Sequence, residues 1–165
     1  MAQWATLAHE RIAVEDVVVA TLKFANGALG VIEATTAAYP GYLKKIEIHG
    51  SEGSAFMEEE DIKKWDFKNP DKRDRMILEA MNTSKSTGGG AGDPTAIGHH
   101  GHARQFEDLL NAVKKNTAPS VDGREGRRSV EIILAIYKSA ESGKPVMLPL
   151  EKDPPLNARK KKVDK

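Results

Sequence analysis

Three of the five histidines fall together as His99, His100 and His102, just ahead of an amphipathic stretch. Helical metal chelation needs ligands at i and i+4, and here only His100 and His102 could pinch an ion from extended backbone, with Asp93 the nearest upstream carboxylate. The spacing therefore argues against a metal site. Two readings of His99 and His102 remain open: hydrogen bonding to a substrate at a helix N-terminus, where the dipole favours anionic or polar ligands, or solvated capping residues. Tyr39 and Tyr42 flank Pro40-Gly41 at a turn between strands. They either pack the turn or line a pocket with their hydroxyls inward.

Other candidate chemistry fails on spacing. The cluster GGGAG at 88–92 holds four glycines but no G-x-G-x-x-G, and Gly143-Lys144 is followed by Pro145, so both phosphate-cradling patterns are missing. His9-Glu10 would open a zinc-protease motif, yet position 13 is Ala13. Gly50-Ser51-Glu52-Gly53 reads as a turn rather than a nucleophile elbow. The acids Glu58 to Asp61 read as a solvated hairpin tip. Trp4 and Trp65 read as core or interface residues.

The elements that must position these residues follow from periodicity. EDVVVATLKF and LGVIEATTAA flank Asn26-Gly27, which predicts a hairpin with a type I′ turn. YLKKIEI and SAFM flank Gly50–Gly53 and predict a second hairpin, with Ile46 and Ile48 on one face. Asp61–Phe67 and Gln3–Ala8 add strands, giving a mostly antiparallel sheet of five or six. A long loop follows over 69–98, with a short helix across Arg75–Met81. Phe106, Leu109, Leu110 and Val113 form one helical stripe that ends before Pro119. Asp122 with Glu125 resembles a capping box for a second helix carrying Val130, Ile133, Leu134 and Tyr137, stopped by Gly143 and Pro145. Val146–Leu148 reads as a closing strand. Strands first and helices afterwards give an α+β class: a mostly antiparallel open sheet with helices packed on one face. The other face mixes Thr21, Lys23, Glu33 and Lys45 with Val17, Val19, Val31 and Ile46, which predicts association.

Composition narrows the classes of function. The 165 residues carry 25 Lys+Arg against 24 Asp+Glu, so a net charge of +1 sets up no field to recruit nucleic acid or an anionic membrane. No cysteine is present, which removes disulfides, thiol catalysis and Cys-ligated metals and fits a reducing cytoplasm. The N-terminus shows neither a secretory signal nor a membrane span. Residues 1–150 read as one domain and 151–165 as a basic, disordered tail.

The ordered set NGALGVIEATTAAYPGYLKKIEIHGSEGSAFMEE, GHARQFEDLLNAV and VDGREGRRSVEIILAIYKSAESGKPVMLP resembles the C-terminal domain of the Gfo/Idh/MocA oxidoreductase family, over about residues 15–149. The resemblance implies an NAD(P)-dependent dehydrogenase acting on a carbinol carbon of a sugar, polyol or related molecule. It implies a Rossmann domain for NAD or NADP, and a C-terminal domain whose open sheet lines the substrate pocket and mediates homo-oligomer formation. The family's glycine fingerprint, Glu-Lys-Pro motif and Asp-x-x-x-His helix occur nowhere in these residues. The expectation is a chain lacking the N-terminal Rossmann domain, with no cofactor of its own, no catalytic residue and no activity alone. Substrate contacts are expected from Tyr39, Tyr42, His99 and His102. The alternative is a stand-alone, non-catalytic oligomerisation or ligand-binding module.

Overall fold

The computed structural model describes residues 1–59, 61–83 and 100–152. The class is α+β, with six strands and three helices among the described residues: β1 (Ala2–Ala5), β2 (Val17–Lys23), β3 (Leu29–Thr35), β4 (Lys45–His49), β5 (Gly53–Glu58), β6 (Asp61–Phe67), α1 (Lys72–Thr83), α2 (His100–Lys115) and α3 (Gly123–Ser142). The strands divide into two antiparallel three-stranded sheets, β1-β2-β3 and β4-β5-β6, rather than one sheet of five or six. The chain correspondingly separates into two compact units, Met1–Ala38 with Gln105–Lys165, and Tyr39–Arg104.

In the first unit the Asn26-Gly27 hairpin forms, but not with a type I′ turn. Of the two residues only Gly27 takes a positive φ, 90°, while Gly27 N–H donates to the Phe24 carbonyl at 2.9 Å. This is the three-residue connection that ends in a left-handed glycine. Asn26 instead uses its side-chain oxygen to accept the Ala28 N–H at 3.0 Å. Register places Ala2, Trp4, Val18, Ala20 and Ile32 on one face and Gln3, Val19, Thr21, Val31 and Glu33 on the other.

α3 lies against β1, and its buried positions are Ala135 and Ser139. Of the large apolar residues on this helix, Val130 and Ile133 are about half exposed, while Leu134 and Tyr137 are half-buried. Small residues permit the close approach of helix to strand, and polar ones satisfy backbone. Ser139 Oγ accepts the Ala2 N–H at 3.0 Å and donates to the Lys144 carbonyl at 2.7 Å. Asp122 caps α3 by accepting the Arg124 and Glu125 N–H groups, both at 2.9 Å, and Gly143 closes the helix at φ 64°. The reciprocal half of a capping box is replaced, since Glu125 pairs with Arg128 at 2.7 Å. Val146–Leu148 is not a strand. Pro145 and Pro149 bracket it without N–H groups for a ladder, and the segment is held by Leu150, whose N–H donates to Glu131 Oε1 at 2.8 Å.

In the second unit the Gly50–Gly53 turn is closed by Gly50 N–H on the Gly53 carbonyl at 2.8 Å. Ile46, Ile48, Ala55, Met57, Ile62, Trp65 and Phe67 share one face. The Phe67 ring lies over Gly53, where a Cβ would stand 2.2 Å from Cδ1, so only glycine fits under it. The helix expected over Arg75–Met81 is longer, because Asp71 and Asp74 cap one another. Asp71 Oδ1 accepts the Arg73 and Asp74 N–H groups at 2.6 and 3.0 Å, and Asp74 Oδ2 accepts the Asp71 N–H at 2.7 Å. The other Asp74 oxygen takes the Trp65 indole N–H at 2.8 Å, pinning α1 to β6.

Candidate functional site

Tyr39 and Tyr42 lie in the connection between the two sheets, on a turn made by Pro40 and a Gly41 at φ 88°. A positive φ there admits glycine and strains other residues. The turn carries both rings outward: Tyr39 is 96% exposed and Tyr42 70%. At that exposure Tyr39 neither packs the turn nor turns its hydroxyl inward into a pocket. Among the described residues neither hydroxyl has a hydrogen-bond partner, so each remains able to donate and accept.

Beside Tyr42, Lys45 at the start of β4 brings its ammonium 5.7 Å from the Tyr42 ring centroid and 5.8 Å from that of Phe56. Lys44 is engaged differently. Its Nζ lies 2.8 Å from Glu59 Oε2, and its N–H donates to Glu59 Oε1 at 3.2 Å. Lys44 holds the Glu59 carboxyl below the usual carboxylate range. The expected solvated acid tip is thus partly an ion-paired one.

His102 stands exposed in the first turn of α2, as anticipated for a helix N-terminus. No described contact joins it to either tyrosine. His99 lies outside the described residues. A concavity of about 440 Å³ opens on the apolar face of the second sheet, lined by Ile48, Ala55, Trp65, Phe67 and the Gly50–Gly53 turn. Tyr39, Tyr42 and His102 do not line it.

The first unit holds a polar centre that sequence reasoning missed. Asp16 is 2% exposed, and its carboxylate accepts the N–H groups of Leu7, Ala8 and His9 at 2.9, 2.8 and 2.9 Å, with His9 Nδ1 at 3.2 Å. These backbone donors, led by Leu7, hold its carboxyl far below the ordinary range. The group fixes the chain leaving β1 rather than offering itself to a ligand. Nearby, the Tyr137 hydroxyl donates to Glu15 Oε1. An acid immediately before a Val-rich strand was the available signal for Asp16, and it is weak.

A dinucleotide pyrophosphate needs a strand running through glycines into a helix N-terminus with free amides. Among the described residues the strand-to-helix junction is β6 to α1, which contains no glycine, and the Asp71 carboxylate already occupies its amides. The described residues do not fit that cofactor. Nor do they contain a group of three His, Asp or Glu placed to hold a metal ion. No described helix is long and apolar enough to cross a membrane.

Residues 1–148 match the profile of a family described as "Oxidoreductase family, C-terminal alpha/beta domain". The WlbA dehydrogenase of Bordetella pertussis, crystallised with NADH and UDP-GlcNAcA, is 32% identical with a TM-score of 0.72, over 91% of this chain and 41% of its own. The Chromobacterium violaceum WlbA dehydrogenase, in complex with the same two ligands, is 31% identical with a TM-score of 0.71, over 92% of this chain and 40% of its own. A myo-inositol 2-dehydrogenase of Thermotoga maritima is 26% identical over 135 residues, 81% of this chain and 36% of that protein. The chain thus spans about two fifths of the length of these relatives.

Proposed function

This chain belongs to the Gfo/Idh/MocA oxidoreductase family as its C-terminal alpha/beta domain, and from that premise we propose that it is the substrate-binding and oligomerisation part of an NAD(P)-dependent dehydrogenase acting on a carbinol carbon of a sugar. The observation that carries this reading is the likeness, over nine tenths of the chain, to two dehydrogenases crystallised with NADH and UDP-GlcNAcA. A sugar nucleotide is favoured over a free cyclitol because those matches are longer and more identical than the match to the inositol enzyme.

In this role the chain binds and orients substrate, while the dinucleotide is held by polypeptide other than these residues. The nicotinamide would accept or return the hydride, and the general base is likewise supplied from elsewhere. Tyr39, Tyr42, His99 and His102 contribute hydroxyl and imidazole groups that donate to and accept from sugar hydroxyls. Support for the tyrosines is their outward presentation on one turn; support for His102 is its exposed place in the first turn of α2. Association runs through the first sheet's face of Val19, Val31 and Leu29, all exposed and interleaved with Thr21 and Glu33. A chain without cysteine suits a reducing cytoplasm.

Calorimetric titration of the 165-residue chain tests the reading. UDP-GlcNAcA should bind, while NAD(H) and NADP(H) should give no heat beyond dilution. Micromolar binding of any dinucleotide, or no binding of the sugar nucleotide, would overturn it.

A further inference from the structure

We propose that Lys45 is the charge-selecting residue of the substrate surface, an ammonium held between two aromatic rings that engages an oxyanion carried on the sugar. The inference rests on the sugar-dehydrogenase reading above and adds a residue to it.

The two consecutive lysines are put to different uses. Lys44 is answered by Glu59 at 2.8 Å, a carboxylate whose side chain is three quarters shielded. Its charge is spent within the protein. Lys45 projects to the opposite side of the strand, as alternation requires. There its ammonium stands 5.7 Å from the Tyr42 ring centroid and 5.8 Å from that of Phe56, with Glu58 Oε1 at 3.8 Å. Ring faces attract the ammonium through their quadrupoles without using its N–H donors. The long Glu58 contact engages at most one of three donors. The cation is therefore localised while its hydrogen-bonding capacity is kept.

The neighbouring Tyr42 ring is 70% exposed and its hydroxyl has no partner among the described residues. A fixed cation beside an exposed ring and a hydroxyl that both donates and accepts matches a ligand combining an oxyanion with a hydroxylated ring. A phosphate ester and a uronic carboxylate share that chemistry. A neutral polyol gains nothing from the ammonium, so discrimination against it follows from charge.

The test is titration of the 15N-labelled full chain, followed by amide shifts, with UDP-GlcNAc, glucuronic acid and myo-inositol. Lys45→Met should weaken binding of at least one anion fivefold or more and leave myo-inositol within twofold, while Lys45→Arg retains most of the affinity. A loss confined to UDP-GlcNAc assigns the oxyanion to the diphosphate; a loss confined to glucuronic acid assigns it to a carboxylate. In the wild-type chain, raising salt from about 50 to about 300 mM should weaken the same anion and not myo-inositol. If Lys45→Met does not fold, Lys45→Gln takes its place in the same titration. Unchanged anion affinity in Lys45→Met, or anion binding insensitive to salt, overturns the inference and leaves the sugar reading intact. If neither these three ligands nor UDP-GlcNAcA shifts any amide, the sugar reading falls and the inference with it.

Discussion

Replacing Ser139 by Ala should cost far more than the loss of one hydroxyl on a helix suggests. Ser139 is 4% exposed, and Ala2, whose N–H it accepts at 3.0 Å, is 5% exposed. Removing Oγ strands that N–H away from water, which costs about 1–3 kcal/mol. The bond from Oγ to the Lys144 carbonyl at 2.7 Å is less buried, and its loss adds about 0.5–1 kcal/mol. Alanine returns about 0.5 kcal/mol through its better helix propensity. The net is a destabilisation of about 2 kcal/mol, equivalent to about 4–8 °C in Tm for a chain of this size. Urea unfolding followed by far-ultraviolet circular dichroism and by tryptophan fluorescence gives the free energy. The midpoint should fall with the slope unchanged, since exposed surface is not altered. Amide exchange should also accelerate at Ala2, the donor left without its acceptor. A variant within about 0.5 kcal/mol of wild type, or an Ala2 amide as protected as before, would refute the claim that this side chain ties β1 to α3.

Asp16→Asn tests the buried carboxylate through pH. Because the folded-state pKa is lowered, its contribution is complete above the unfolded value near about 4 and is lost as pH falls toward the folded value. The difference in urea midpoint between wild type and Asp16→Asn should hold steady from pH 7 to 5 and shrink below pH 4; parallel curves throughout would contradict it. Gly53→Ala places a methyl 2.2 Å from the Phe67 ring and should destabilise by about 1–3 kcal/mol, with Gly53→Ala/Phe67→Leu recovering part of the loss; a silent single variant would show the ring is free to move. Asp122→Ala removes the acceptor of two N–H groups at the start of α3 and should lower stability by about 1 kcal/mol in the same urea assay, whereas Asp122→Ser should be nearly neutral.

The parts of the fold legible in the sequence are those set by local chemistry. Asn26-Gly27 marks a hairpin, Asp122 and Gly143 mark the ends of α3, and alternation puts Ile46 and Ile48 on one face. Each signal operates within a few residues. What escaped depends on partners distant in the chain or on polar atoms doing backbone work. Ser139 looks like a neutral helix residue until Ala2, 137 positions away, supplies its N–H. Asp16 reads as the polar start of a strand, and nothing local reveals that three amides fold back onto it. On α3, apolar periodicity finds the large residues, while close packing against β1 selects Ala135 and Ser139. For the candidate site, the Pro40-Gly41 turn signals exposure of its flanking tyrosines. The placement of Lys45 between Tyr42 and Phe56 needed the register of β4 on β5, which sequence alone leaves open.

The most direct measurement of the central claim joins this chain to the three fifths of the Bordetella pertussis WlbA dehydrogenase that it does not match, and follows NADH formation with UDP-GlcNAcA. The joined protein should turn over, with kcat/KM lowered in Tyr42→Phe and in His102→Ala while affinity for NADH is unchanged. Turnover unaltered in both variants would contradict the placement of substrate on this domain, and a folded, NADH-binding joined protein without turnover would contradict the dehydrogenase role itself.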